Sequence, residues 1–120
     1  MSQKVTEVTK DILPDEKIDC VVYGCTSGTI AAGYSSIEQK VKLAKPEAKV
    51  TTPSTAALKA LKKLKIQKLS IFTPYSKKLN DEVVEYFKKE NFNVTSNSYF
   101  DIESDIDTVS YTHLTLPTKA

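Results

Sequence analysis

Strands and helices alternate along this 120-residue chain in the order that builds an α/β fold: three layers, with helices on both faces of a mainly parallel sheet. Two patterns support this reading. Short β-branched runs recur between amphipathic stretches, and each run ends in a turn of small or hydroxyl residues that opens the next helix. Helical crossovers of this kind are right-handed and leave successive strands parallel.

The first strand is Ile18 to Gly24, an apolar run closed by glycine. Cys25-Thr26-Ser27-Gly28-Thr29 is the turn after it. Ile30 to Lys45 is helix-compatible with a break near Gly33 to Ser36, and Pro46 stops it. Lys49 to Thr52 is the second strand. Pro53-Ser54-Thr55 opens a helix with proline in its first turn, and Ala57, Leu58, Leu61 and Leu64 repeat at helical spacing. Lys68 to Thr73 is the third strand, and Pro74-Tyr75-Ser76 turns the chain. Leu79, Val83, Val84, Tyr86 and Phe87 mark the next amphipathic helix, with Asp81 and Glu82 near its start as partners of the helix dipole. Phe92 to Thr95 is the fourth strand, and the acidic stretch from Asp101 to Val109 begins another helix. Residues 110–120 break the pattern and resemble a translated sequencing-adapter tail. The domain reading is therefore 1–109 as the α/β region and 110–120 as a non-native tail.

Composition narrows the chemistry. Hydrophobic residues are 40% and charged residues 27%, a balance that suits a folded chain rather than a disordered one. No apolar run approaches the roughly 20 residues of a bilayer span, and the N-terminal stretch is too polar for a secretory signal. The expected location is the cytoplasm, with no membrane partner. A net charge of +2 with scattered basic residues argues against nucleic acid. All 17 basic residues are lysine, so a carboxylate ligand must be held by backbone N–H groups, hydroxyls and lysines rather than by a guanidinium fork. The single histidine, His113, lies in the tail, which removes Ser-His-Asp and Cys-His arrangements from the body of the chain. Two cysteines do not make a four-ligand zinc site, so no metal is expected.

Ligands of open α/β sheets bind beyond the carboxyl ends of the strands. Three hydroxyl-rich turns fall at such ends, around Cys25, Ser54 and Tyr75, and together they suit an anion. Cys25, at a strand end facing a helix N-terminus, reads as a thiol with a lowered pKa, or equally as a small buried hydrophobe. Cys20, an odd number of residues earlier, faces the other way and reads as core; roughly 16 Å of strand separates it from Cys25, too far for a disulfide. Tyr75 reads as an oxyanion donor or as a surface turn tyrosine. Thr26, Ser27, Ser54 and Thr55 read as ligands or as helix caps. The lysines at 59, 62, 63 and 65 form a solvated helix face.

The segment Asp19-Cys20-Val21-Val22-Tyr23-Gly24-Cys25-Thr26-Ser27-Gly28-Thr29 resembles the first active-site motif of the Asp/Glu racemase superfamily. The resemblance is closest to the branch containing maleate cis-trans isomerases, arylmalonate decarboxylases and ectoine-utilisation proteins. Val50 to Leu61, and Ile71-Phe72-Thr73-Pro74-Tyr75 with Asn80 beyond, agree in order and spacing. The resemblance implies a cofactor-independent enzyme with two similar α/β halves. Residue by residue, it implies Cys25 as the first catalytic cysteine, Thr26 and Ser27 as ligands of a substrate carboxylate, Tyr75 as a donor to the same carboxylate or enolate, and Asn80 as a further binding residue. Ser54 joins them as a substrate-binding residue on its strand-end turn. Members of the family are about twice this length. An earlier strand with an asparagine-containing loop and a later second cysteine motif are expected outside the chain, which then reads as an internal fragment. The function implied is isomerisation or racemisation of a small dicarboxylic acid. The competing readings are a non-catalytic anion-binding α/β domain and an inactive fragment; homo-oligomerisation stays open.

Overall fold

The computed structural model describes residues 4–102, which divide between Lys65 and Ile66 into two compact units. The tail 110–120, and residues 103–109 of the helix expected from Asp101, lie outside the described residues.

The first unit runs α1 (Val5–Asp11), β1 (Cys20–Val22), α2 (Thr26–Ala32), α3 (Tyr34–Ala44), β2 (Lys49–Thr51) and α4 (Pro53–Lys63). β1 and β2 are parallel, with Val21 opposite Val50. β1 is shorter than expected because its partner offers only three residues. One further bond on each side extends the ladder, Lys49 N–H to Asp19 O at 2.9 Å and Tyr23 N–H to Thr51 O at 3.0 Å. The expected helical break is real: Gly33, at φ +80°, separates α2 from α3 in a backbone conformation that suits glycine. Ile37 and Val41, four residues apart on α3, are fully buried against Val5, Val21, Ala48 and Val50.

The sequence reading did not anticipate α1. Val5, Val8 and Ile12 carry helical spacing, but lysines and acids between them mask it. Tertiary packing completes the helix: Val5 and Thr9 are buried, and the Thr6 hydroxyl donates to Lys40 O on α3 at 2.9 Å. Cys20 is also corrected. It is exposed rather than core, because in this short ladder the buried position belongs to Val21.

The second unit is a single β-α-β connection: β3 (Lys68–Thr73), α5 (Lys77–Lys89) and β4 (Asn93–Tyr99). The strands are parallel, from Lys68 opposite Asn93 to Thr73 opposite Tyr99, with a register shift after Leu69. Thr95 lies at that shift and donates its hydroxyl to Leu69 O at 3.1 Å. β4 therefore runs four residues past the expected end at Thr95. Val83, Val84 and Phe92 are buried, and Asn91 at φ 67° turns the chain out of α5. α5 opens on Lys77 with no acid in its first turn. Asp81 instead pairs with Lys77 at 2.7 Å, one turn along.

Candidate active site

In the first unit, parallel pairing brings two strand-end turns to the same edge of the ladder, and the helices they open, α2 and α4, touch one another. Cys25 is the residue that caps α2. Its backbone is extended, and its sulfur accepts the Gly28 N–H at 3.2 Å. Ser27 Oγ lies 3.8 Å from the sulfur. The Cys25 carbonyl is bonded as well, accepting the Thr29 hydroxyl at 2.7 Å. The thiol thus takes the place of the usual Ser, Thr or Asp cap, and its half-buried setting keeps it reachable. Thr26 and Ser27 are half-buried beside it.

The neighbouring turn is occupied by capping. Thr52 and Thr55 form a reciprocal box, Thr55 N–H to Thr52 Oγ1 at 3.3 Å and Thr52 N–H to Thr55 Oγ1 at 3.2 Å. Ser54, only 2% exposed, has its hydroxyl 3.4 Å from Thr52 Oγ1. This hydroxyl cluster joins the Cys25 turn at the strand edge, yet much of its bonding capacity is spent locally.

In the second unit, Tyr75 is half-buried on the turn after β3. Its carbonyl accepts the Asp101 N–H at 3.1 Å, while Pro74 O accepts the Ile102 N–H at 3.0 Å. Asn80 is wholly buried, and both ends of its amide are engaged: Thr73 Oγ1 donates to Oδ1 at 2.9 Å, and Nδ2 donates to Asn97 Oδ1 at 3.0 Å. This network ties β3, α5 and β4 together directly behind the Tyr75 turn.

One residue at the thiol escaped the sequence reading. Tyr23 faces the Cys25 sulfur, and its hydroxyl oxygen is buried without a well-aligned hydrogen-bond partner. Burial first, then the facing sulfur, pushes this hydroxyl above the ordinary tyrosine value. The one signal in the sequence was the two-residue spacing within an extended run.

A family model for arylmalonate decarboxylase matches residues 20–116. The chain belongs to the arylmalonate decarboxylase family. Within and around that family, the maleate isomerase of Pseudomonas putida is 28% identical over 112 residues, covering 88% of this chain and 45% of that protein. A maleate cis-trans isomerase from Nocardia farcinica, solved as a cysteine-to-serine mutant with a covalently bound succinylcysteine intermediate, has a TM-score of 0.77 at 18% identity. It is matched over 98% of this chain and 53% of its own. Unliganded arylmalonate decarboxylase gives 0.66 at 19% identity, over 88% of this chain and 45% of that one. The chain spans about half the length of these relatives. The structural likenesses establish the α/β fold with parallel strands shared across this branch of the family. Among the described residues, no helix is long and apolar enough to cross a membrane, and no cluster of three or more His, Cys, Asp or Glu side chains could hold a metal ion.

Proposed function

We propose that this family member is part of a cofactor-independent, cytoplasmic isomerase of small dicarboxylic acids, with Cys25 as its nucleophile. The observation that supports the reading best is the seat of Cys25: a reachable thiol capping α2 at the end of β1, with the Gly28 N–H on its sulfur. Thr26 and Ser27 follow on the same turn and are proposed to bind a carboxylate through hydroxyl and amide. Ser54, Tyr75 and Asn80 are proposed substrate-binding residues by their place in the matching motifs. The buried amide of Asn80 would serve by bracing the Tyr75 turn, since Thr73 and Asn97 engage both its ends. Residues 1–109 are assigned to the racemase-like region and 110–120 to a tail outside it.

In the cis-trans reaction the Cys25 thiolate adds to one alkene carbon and forms a C–S bond. The π pair moves to the adjacent carbon and into its carboxylate. Rotation follows about the resulting C–C single bond; the pair then returns, the double bond re-forms and the thiolate leaves. No electron or proton is lost overall. In the racemase variant, a thiolate takes the α-proton and a second thiol returns one on the opposite face.

The family match favours one second reading, decarboxylation of a substituted malonate, in which the carbanion left by departing CO2 takes a proton from a cysteine. The two readings separate on substrate. In the full-length parent, maleate should be converted to fumarate, followed by proton NMR, while an arylmalonate should release no CO2. Near-normal turnover by Cys25→Ser would overturn the cysteine mechanism. Dicarboxylate binding without turnover, with Cys25 alkylated no faster than Cys20, would favour a non-catalytic anion-binding domain.

A further inference from the structure

Tyr23 and Cys25 are joined by a three-residue turn, Cys25 N–H to Tyr23 O at 2.9 Å, which folds the thiol back towards the ring. A β-carbon placed on Gly28 would lie 2.7 Å from the Tyr23 hydroxyl oxygen and 2.9 Å from Cys25 Sγ. The two atoms therefore converge on one face of Gly28, and only a residue without a side chain leaves room for both. The Gly28 N–H already donates to the sulfur. The Tyr23 oxygen is buried with no well-aligned partner, a costly condition for a hydroxyl unless a neighbour needs its proton. A neutral thiol is a weak acceptor; a thiolate is a strong one.

We propose that Tyr23 is a positioning residue for Cys25: its O–H donates to the sulfur as the thiol ionises, and with the Gly28 N–H it holds the thiolate in a two-donor cradle. The proposal rests on Cys25 being the nucleophile, and it adds a residue that the motif match did not assign. Because the Tyr23 hydroxyl is raised above the ordinary tyrosine value of 10.0, it stays protonated, and so remains a donor, through neutral and mildly alkaline conditions.

The test is alkylation of the whole 120-residue chain by iodoacetamide, with rates at Cys25 and Cys20 read separately by mass spectrometry. Exposed Cys20 is the internal reference. Tyr23→Phe keeps the ring and removes only the O–H. At neutral pH, losing a hydrogen bond to the charged sulfur should make the reactive thiolate less favourable and slow alkylation at Cys25. The less stabilised thiolate is intrinsically more nucleophilic, which offsets part of the loss, so the net fall in rate at Cys25 should be roughly threefold. At alkaline pH, where thiol ionisation no longer limits the rate, the order should invert and the variant should react roughly threefold faster. The Cys20 rate should not change.

Equal rates for native and variant would overturn the proposal, because a packing role survives replacement by phenylalanine. A parallel fall at both pH values would also overturn it, since that reports access rather than ionisation. Gly28→Ala is the second variant. Its methyl group must part the hydroxyl from the sulfur, so it should reproduce the inversion even if Tyr23→Phe fails to fold, and a rate unchanged at both pH values would count against the cradle. None of these readouts involves turnover. A missing inversion removes the role of Tyr23 and leaves Cys25 as nucleophile; turnover that survives Cys25→Ser defeats the function and leaves the hydrogen bond standing.

Discussion

The first unit caps its strand-to-helix turn with a thiol, whereas the second braces its own with a buried amide. Cys25 accepts one N–H at 3.2 Å, with Ser27 Oγ a further 3.8 Å contact, in a unit whose buried core includes Val21, Ile37, Val41 and Val50. Asn80 reaches Thr73 on β3 and Asn97 on β4 with bonds of 2.9 and 3.0 Å. Both units use the same parallel connection, so the difference lies in what each places at the turn. A carboxamide with both ends engaged is a strut, because moving it would unpair several buried groups at once. Sulfur is a weak acceptor, and a cap made of it costs little to release. The comparison teaches that a lightly bonded cap leaves its side chain free to take a further partner, whereas complete bonding fixes a side chain in place.

The sharpest way to break this contrast is Cys25→Ser. Serine should cap α2 at least as well, so the fold should hold, while in the full-length parent the proposed isomerase turnover should be abolished with dicarboxylate binding nearly intact. Folding stability and proton NMR of the reaction check both halves of that statement.

Ile37→Ala should come next in size. Ile37 is fully buried in the aliphatic core, and its loss should cost about 3–4 kcal/mol through transfer and cavity terms. Hydrogen exchange should show the lost protection in residues 4–65.

Asn80→Leu tests the strut. It leaves the Thr73 hydroxyl and the Asn97 amide without their partner and should cost about 2–3 kcal/mol, read as lost protection in β3 and β4. A neutral result would mean that the amide network is incidental and that the contrast between the units fails.

A smaller effect follows from pH. Tyr23 and Tyr34, both in the first unit, have hydroxyls raised above 10.0, chiefly by burial. The folded state therefore holds these protons more tightly than the unfolded chain does. The associated stability is intact below the unfolded value and is lost as pH climbs through the raised ones. Tyr34 also donates to Val50 O at 3.0 Å, a bond that its ionised form cannot make. Urea midpoints should fall above pH 10, and less steeply in Tyr34→Phe.

The smallest expected effect is at Cys20. Because it is exposed, Cys20→Ser should change stability by no more than about 0.5 kcal/mol. A larger loss would restore the core role that alternation along β1 suggested.

Much of the architecture was legible residue by residue. Lys68–Thr73 appears with the expected ends because a β-branched and aromatic run is bounded by Gln67 and Pro74, and α4 begins at Pro53 because proline suits a first helical turn. Gly33 marked the break between α2 and α3. The helix α1 was not legible, since its apolar positions are sparse and it is Val5 and the polar Thr9 that packing buries, while Val8 and Ile12 stay exposed. The end of β4 was hidden as well: Ser96, Asn97 and Ser98 have little strand preference and are held by pairing with β3.

The sequence by itself determined the α/β class, the parallel connections, the family motifs and the absence of arginine and of a usable histidine, because these depend on residue identity and short-range spacing. Tertiary structure decided which polar groups stay available. Capping draws Thr52 and Thr55 into each other, burial turns Asn80 inwards, the short ladder leaves Cys20 outside, and a tight turn sets Tyr23 against Cys25. The physical reason is that a hydroxyl, amide or thiol becomes a ligand, a strut or a reagent according to the partners that folding places within hydrogen-bond reach, and those partners lie at separations that no local pattern encodes.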